Sequence, residues 1–237
     1  MEIKNRIYEI DFLRGLGILL VIFFHTAWNI CMEYQLTIIT QPWVKFLVFF
    51  FAGMLIFISG ASSYLGSHTL RRGLIVSGSA LLVTLATWIV LPQLYVKFGI
   101  LHLLGVSMLL ICMVKKFRPN RLFLALLALL LIGVGIYAYQ TRVSNPYLFW
   151  LGFATKSFES LDYYPLLPWF GVFLAGYVFS SYVYQDKKSP FTRGWYHRDL
   201  FSFAGRHSLI LYLIHQPLVF LLLAFPPLKG LLNQLFG

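Results

Sequence analysis

Leu122-Phe-Leu-Ala-Leu-Leu-Ala-Leu-Leu-Leu-Ile-Gly-Val-Gly-Ile-Tyr-Ala-Tyr139 holds no charged side chain and shows no polar stripe. A helix that is apolar on every side has lipid or a buried core around it. At 1.5 Å per residue such a run also reaches most of the way across a hydrocarbon layer of about 30 Å. Working outward from it, runs of the same kind recur at 10–32, 46–66, 73–92, 99–114, 166–184 and 208–225, so that with 121–140 seven helices are expected. The rest of the composition agrees: 59% of the 237 residues are hydrophobic and 11% are charged, where soluble domains carry about 25% charged residues. The expected fold is all-α: a polytopic transmembrane bundle of about seven spans, one domain over 1–237, with no room for a soluble domain.

The net charge of +11 raises the question of nucleic acid, and its distribution answers it. Basic residues sit in short clusters between apolar runs, as cytoplasmic loops carry them. Thirteen of the nineteen, among them Lys4, Arg6, Arg71, Arg72, Lys115, Lys116, Lys187, Lys188, Arg193 and Arg198, fall on one side of the seven-span layout. Five fall on the other, namely Lys45, Lys97, Arg142, Lys156 and Lys229, and Arg14 lies inside the first helix. The expected topology is a multi-pass protein of the inner (plasma) membrane with a cytoplasmic N-terminus, a lipid bilayer as its partner and no nucleic acid. Glu9, Asp11 and Arg14 interrupt the N-terminal apolar stretch, so it reads as a retained helix and not as a cleaved signal peptide. Cys31 and Cys112 read as small packing residues. The 141–165 segment, with Asn145-Pro146 and several aromatics, reads as a re-entrant or interfacial turn, and 185–207 as a basic loop.

Ionisable groups inside spans cost about 2.5–3.5 kcal/mol each on insertion scales, so each one needs a reason. Asp11 and Arg14 are three apart and neighbours on a helix. The eleven-residue step to His25 returns to within about 20° of the same face, about 16 Å further along. That stripe must face protein or a hydrated cavity. Two readings stand for the acid and base, a helix-end ion pair and a functional pair. Two stand for His25, an interhelical hydrogen bond and a catalytic group. His102 and His215 are the other histidines within spans, and Gln216-Pro217 beside His215 suggests a locally opened helix lining a cavity. No metal site is expected, since no His-Glu-x-x-His occurs. Gly15 and Gly17 lack the third glycine and the strand of a dinucleotide fingerprint. Gly60-Ala-Ser-Ser63 reads as a close-packing stretch, and Pro168-Trp169 as an aromatic interface anchor.

Glu9-Ile-Asp-Phe-Leu-Arg-Gly15 with His25, Arg71-Arg-Gly-Leu, Phe98-Gly-Ile-Leu-His-Leu-Leu-Gly105, Leu167-Pro-Trp-Phe-Gly171 and Gly205-Arg-His-Ser-Leu-Ile-Leu-Tyr-Leu-Ile-His-Gln-Pro217 follow one another in order along the chain. Together they resemble the heparan-α-glucosaminide N-acetyltransferase catalytic-domain family in a small bacterial form. The arginine-to-histidine spacing in the first helix is also similar to that of the acyltransferase family 3 proteins. The resemblance implies a membrane-bound acyltransferase, with acetyl-CoA or another acyl-CoA as donor and no metal. The acyl group would pass from the cytoplasm to a hydroxyl or amine of an extracytoplasmic sugar or cell-envelope glycan. It implies His25 as the catalytic group, Arg14 as its partner or a coenzyme contact, and Asp11 as the arginine's orienter. Arg71 and Arg72, with Arg14 and the 115–121 cluster, would meet the coenzyme phosphates. His102, His215 and Gln216 would polarise the thioester or position the acceptor. A histidine base suits the proton transfer at neutral pH, and a covalent acyl-histidine is the competing route. The alternatives from other classes are a small transporter or proton-relay protein using the in-membrane histidines, and a membrane scaffold. A homo-oligomer is left open.

Overall fold

A computed structural model of the protein describes residues 7–185, 187–189 and 199–236. Lys4, Arg6, Arg193, His197 and Arg198 therefore lie outside the described residues. The described chain is all-α. In order it forms α1 (Tyr8–Glu33), α2 (Pro42–Leu65), α3 (Thr69–Val90), α4 (Ile100–Lys116), α5 (Arg121–Gln140), α6 (Leu166–Val183), α7 (Leu200–Arg206), α8 (Ser208–Ala224) and α9 (Pro226–Phe236). Each of the seven expected runs is helical. Five helices (α1, α2, α3, α5 and α6) are long and apolar enough to cross a bilayer, and the bent pair α7–α8 counts as a sixth if it is one span. The remaining expected span, α4, is 17 residues long, about 26 Å at the helical rise.

Three stretches differ from the sequence reading. The 185–207 segment contains α7, started by Asp199, whose carboxylate accepts from the Ser202 amide at 2.9 Å. A seven-residue helix is too short for periodicity to reveal. Past Pro226 the chain turns helical again as α9, which is tied to the end of α1 by Lys229 on Glu33 at 3.4 Å and by Tyr34 donating to Asn233 at 2.7 Å. Trp169 is buried at 9% exposure, so it fills the core and is not an interface anchor.

The chain divides into two compact units, residues 1–55 with 191–237, and residues 56–190. The first holds α1, α7, α8, α9 and the start of α2. The second holds the end of α2 with α3 to α6. Within the second unit α5 packs along α6 and α3 along α4. The expected close-packing stretch of α2 does approach another backbone. A Cβ on Gly60 would collide with the Phe173 carbonyl, and one on Gly176 with the Phe57 carbonyl, so α2 and α6 cross main chain to main chain. In lipid, where apolar association gains little, such small-residue crossings supply the packing. The outward surface is apolar: Leu81 is 66% exposed, Ile89 69% and Leu129 66%, a surface that only a bilayer can solvate.

The 141–165 segment does not span. A 3-10 turn at Pro146–Leu151 is followed by Gly152 at φ 121°, which reverses the chain. Its far arm then docks on the start of α4, where Tyr164 donates to the Phe98 carbonyl at 2.9 Å and Asp162 accepts from the Ile100 amide at 2.9 Å. Burial raises the Asp162 carboxyl from its usual range to about 6.

Candidate active site

The signature Asp11-Phe-Leu-Arg-Gly15 sits where α1 meets α7. A Cβ on Gly15 would strike the Phe201 carbonyl, and one on Gly205 would strike the Asp11 carbonyl. The two glycines thus let the helices touch at backbone distance, and this crossing is where the short α7 is held. On the same turn Arg14 donates to Asp11 at 3.4 Å, with the carboxylate side chain 4% exposed and the guanidinium 20%. The pair expected from the spacing of three residues is present. It neutralises two ions that would each be costly alone.

After α7 the chain bends by 93° at His207 and enters α8. That turn brings α8 against α1 higher up and places His215, 3% exposed, opposite His25. The His25 Nδ1 and the His215 Nε2 are 2.6 Å apart. The ring centroids are 4.9 Å apart and the planes 16° from parallel, so the two rings meet edge to edge. The partner of His25 is therefore His215. Arg14, expected as that partner or as a coenzyme contact, is about 16 Å away along the axis by helical rise and is engaged with Asp11.

The protons on the two rings follow from what surrounds them. His215 Nδ1 faces the Tyr212 carbonyl one turn upstream. A carbonyl oxygen only accepts, so that nitrogen carries the hydrogen. In a neutral ring Nε2 then has the bare lone pair, and the short contact needs a donor from His25. His25 is accordingly protonated on Nδ1, which leaves its Nε2 as a lone pair with no partner among the described residues. The chain carbonyl–imidazole–imidazole is oriented like a nucleophile-activating triad, with a second histidine in place of the carboxylate.

One turn further along α1, Asn29 donates to Gln216 Oε1 at 3.2 Å. Gln216 thus belongs to the same seam as a second rung. Asn29 carries no ionisable group and was not a candidate in the sequence, although its spacing of four from His25 puts it on the same face. Helix α8 continues through Pro217, which has no amide hydrogen and so frees the carbonyl four residues earlier.

The other expected residues lie in the second unit. His102 accepts from the Gly99 amide through Nδ1 at 3.3 Å and lies 3.1 Å from Thr84 Oγ1 through Nε2, with the threonine hydroxyl donating to the Val96 carbonyl at 2.8 Å. Both ring nitrogens are thereby engaged in closing the α3–α4 connection. Arg71 is exposed. Arg72 donates to the Ser62 carbonyl at 3.4 Å and Lys115 to the Ser63 carbonyl at 3.0 Å, so two cations close the C-terminal end of α2, where the helix dipole favours positive charge. Among the described residues no three His, Cys, Asp or Glu side chains group as metal ligands would.

Fold and site define a class: a polytopic helical membrane protein with a hydrogen-bonded imidazole pair between its first helix and a late one. The description heparan-alpha-glucosaminide N-acetyltransferase, catalytic, fits residues 6–217, and the chain belongs to that family. The match closes on Pro217 and so encloses both rings of the pair. No curated protein and no solved structure matches the chain. Membership of that catalytic family makes this a membrane transferase.

Proposed function

We propose that the protein moves an acetyl group from acetyl-CoA on the cytoplasmic side to an amine or hydroxyl of an extracytoplasmic sugar or glycan, with His25 as general base. The observation that carries the reading is the His25–His215 contact, backed by the Tyr212 carbonyl. The His25 Nε2 takes the proton of the acceptor N–H or O–H as its nitrogen or oxygen attacks the thioester carbon. The new C–N or C–O bond forms, the C–S bond breaks, and the departing thiolate recovers a proton from the imidazolium. His215 accepts from His25 Nδ1 throughout, fixing the ring's tautomer and spreading the transient charge over two rings. The charge distribution between loops supports a cytoplasmic N-terminus in the plasma membrane. Arg71 and Arg72, on the basic side, are the groups proposed for the donor's phosphates. Asp11 and Arg14 pair with each other on α1 beside the α1–α7 crossing. His102 holds the α3–α4 connection through both ring nitrogens.

The test is transfer from radiolabelled acetyl-CoA to an amino sugar by detergent-purified protein. A thermal shift on adding coenzyme A is expected, and His25→Ala is expected to slow transfer by at least about 100-fold while leaving that shift intact. Transfer at the parental rate by His25→Ala sinks the assignment. A proton-relay transporter would show neither the shift nor the transfer.

A further inference from the structure

We propose that the loop between α5 and α6 carries a separate binding cleft for a phosphoryl group, built by Arg142 and Lys156. Its ligand chemistry is independent of the transfer reaction; only its position on the acceptor side rests on the topology proposed above.

The loop folds back on itself. Val143 donates to the Ala154 carbonyl at 3.3 Å and ties the two arms. Asn145 caps the intervening 3-10 turn by accepting from the Tyr147 amide at 2.9 Å. Between the arms an open cleft of about 510 Å³ is lined by Arg142, Ser144, Thr155, Lys156 and Ser157, with Val143 and Pro146. The lining thus presents two cations and three hydroxyls and contains no carboxylate. Neither cation has an ion pair among the described residues, whose salt bridges are Arg14–Asp11 and Lys229–Glu33. The loop's buried carboxylate, Asp162, is engaged at the Ile100 amide and does not line the cleft.

That set selects its ligand by charge and valence. Excess positive charge repels a free ammonium group, and a neutral sugar leaves both cations unanswered. A phosphoryl group offers several acceptor oxygens and close to two negative charges at neutral pH. It can take the planar guanidinium fork, the point charge of a lysine and hydroxyl donors together. A sugar phosphate presents this monoester group, and an anionic phospholipid headgroup presents a phosphodiester with one negative charge and fewer free oxygens.

The experiment uses the full chain in nanodiscs of phosphatidylcholine at pH 7.5, titrated with glucosamine 6-phosphate, glucosamine and inorganic phosphate. A parallel set contains phosphatidylglycerol. If the group comes from a soluble sugar, glucosamine 6-phosphate binds and glucosamine does not. Affinity then falls at least about tenfold in Arg142→Gln/Lys156→Gln, the loss expected for removing charge-assisted hydrogen bonds. Arg142→Lys/Lys156→Arg, which keeps both charges, retains most of the binding. If the group comes from lipid, phosphatidylglycerol raises the melting temperature of the parent but not of the glutamine variant. Binding and stabilisation that are both indifferent to the two glutamine substitutions overturn the proposal. His25→Ala is measured alongside: it should bind the sugar phosphate as the parent does. Failure of transfer and failure of the cleft are thereby read separately.

Discussion

Removing His215 tests the relay more sharply than removing His25, because only the relay gives His215 a part in the chemistry. In the transition state His25 becomes an imidazolium whose Nδ1–H donates to the His215 Nε2, a contact of 2.6 Å. A hydrogen bond to a charged group contributes about 1.5–3 kcal/mol, so His215→Ala should lower the rate of acetyl transfer by about 10–150-fold. His25→Ala removes the base itself and should cost about 10²–10⁴-fold. The double variant should be no slower than His25→Ala, because without the first ring the second has nothing to orient, and residues acting as a unit are non-additive. His215→Gln sets an amide oxygen near the lost Nε2 and should recover much of the rate. The assay is steady-state transfer from radiolabelled acetyl-CoA by the parent and the four variants in detergent, normalised to folded protein by size-exclusion profile. If His215→Ala slows the His25→Ala protein by the same factor as it slows the parent, the rings act independently and the relay is wrong.

Other consequences are smaller and separable. Gly205→Ala drives a Cβ into the Asp11 carbonyl and should destabilise by about 1–3 kcal/mol through overpacking, seen as a lower melting temperature. The matched control Gly78→Ala, where a Cβ meets nothing within 4 Å, should be neutral or gain up to about 1 kcal/mol from helix propensity. Asn29→Ala breaks the rung to Gln216 and should cost about 0.5–1.5 kcal/mol; a cycle with Gln216→Ala should show that the two losses are not additive. Asp162, raised to about 6 by burial, keeps its proton in the folded protein while the unfolded chain releases it near 4. Stability should therefore fall as pH rises from about 4 to about 6, by up to about 3 kcal/mol, and stay at the lower level above that. Asp162→Asn still accepts from the Ile100 amide, so its melting temperature should lack this decline, and a decline equal to the parent's would refute the assignment.

What the sequence reveals here is whatever is local. The helices are visible because each apolar run lies within one stretch of chain, and the Asp11–Arg14 pair because a spacing of three is a helical contact. The polar stripe on α1 says that His25 must face something other than lipid, but not what. Its partner lies 190 residues away, and no periodicity connects them. The imidazole pair is created by the 93° bend at His207, inside a stretch whose basic residues look like a loop. Helix α7 escapes for the same reason: its seven residues carry too little pattern, and the glycines that seat it, Gly15 and Gly205, acquire meaning only when the two backbones touch. Asn29 is invisible to a search for titratable groups, and Trp169 looks like an interface residue until its burial is known.

The physical setting explains why the orienting group should be a second histidine. A carboxylate behind His25 would put a lone anion within a span, at a cost of several kcal/mol unless paired. The carbonyl–imidazole–imidazole chain carries no net charge at rest, so it enters the bilayer without that cost. A charge exists in it only while the acceptor's proton is held, and then it is shared by two rings in hydrogen-bond contact. The Asp11–Arg14 ion pair on α1 sits nearer the helix start and is neutral as a pair. The same economy recurs at both places: each polar group within the span is answered by another from the protein, and the nitrogen left over, His25 Nε2, is the one that the proposed chemistry requires.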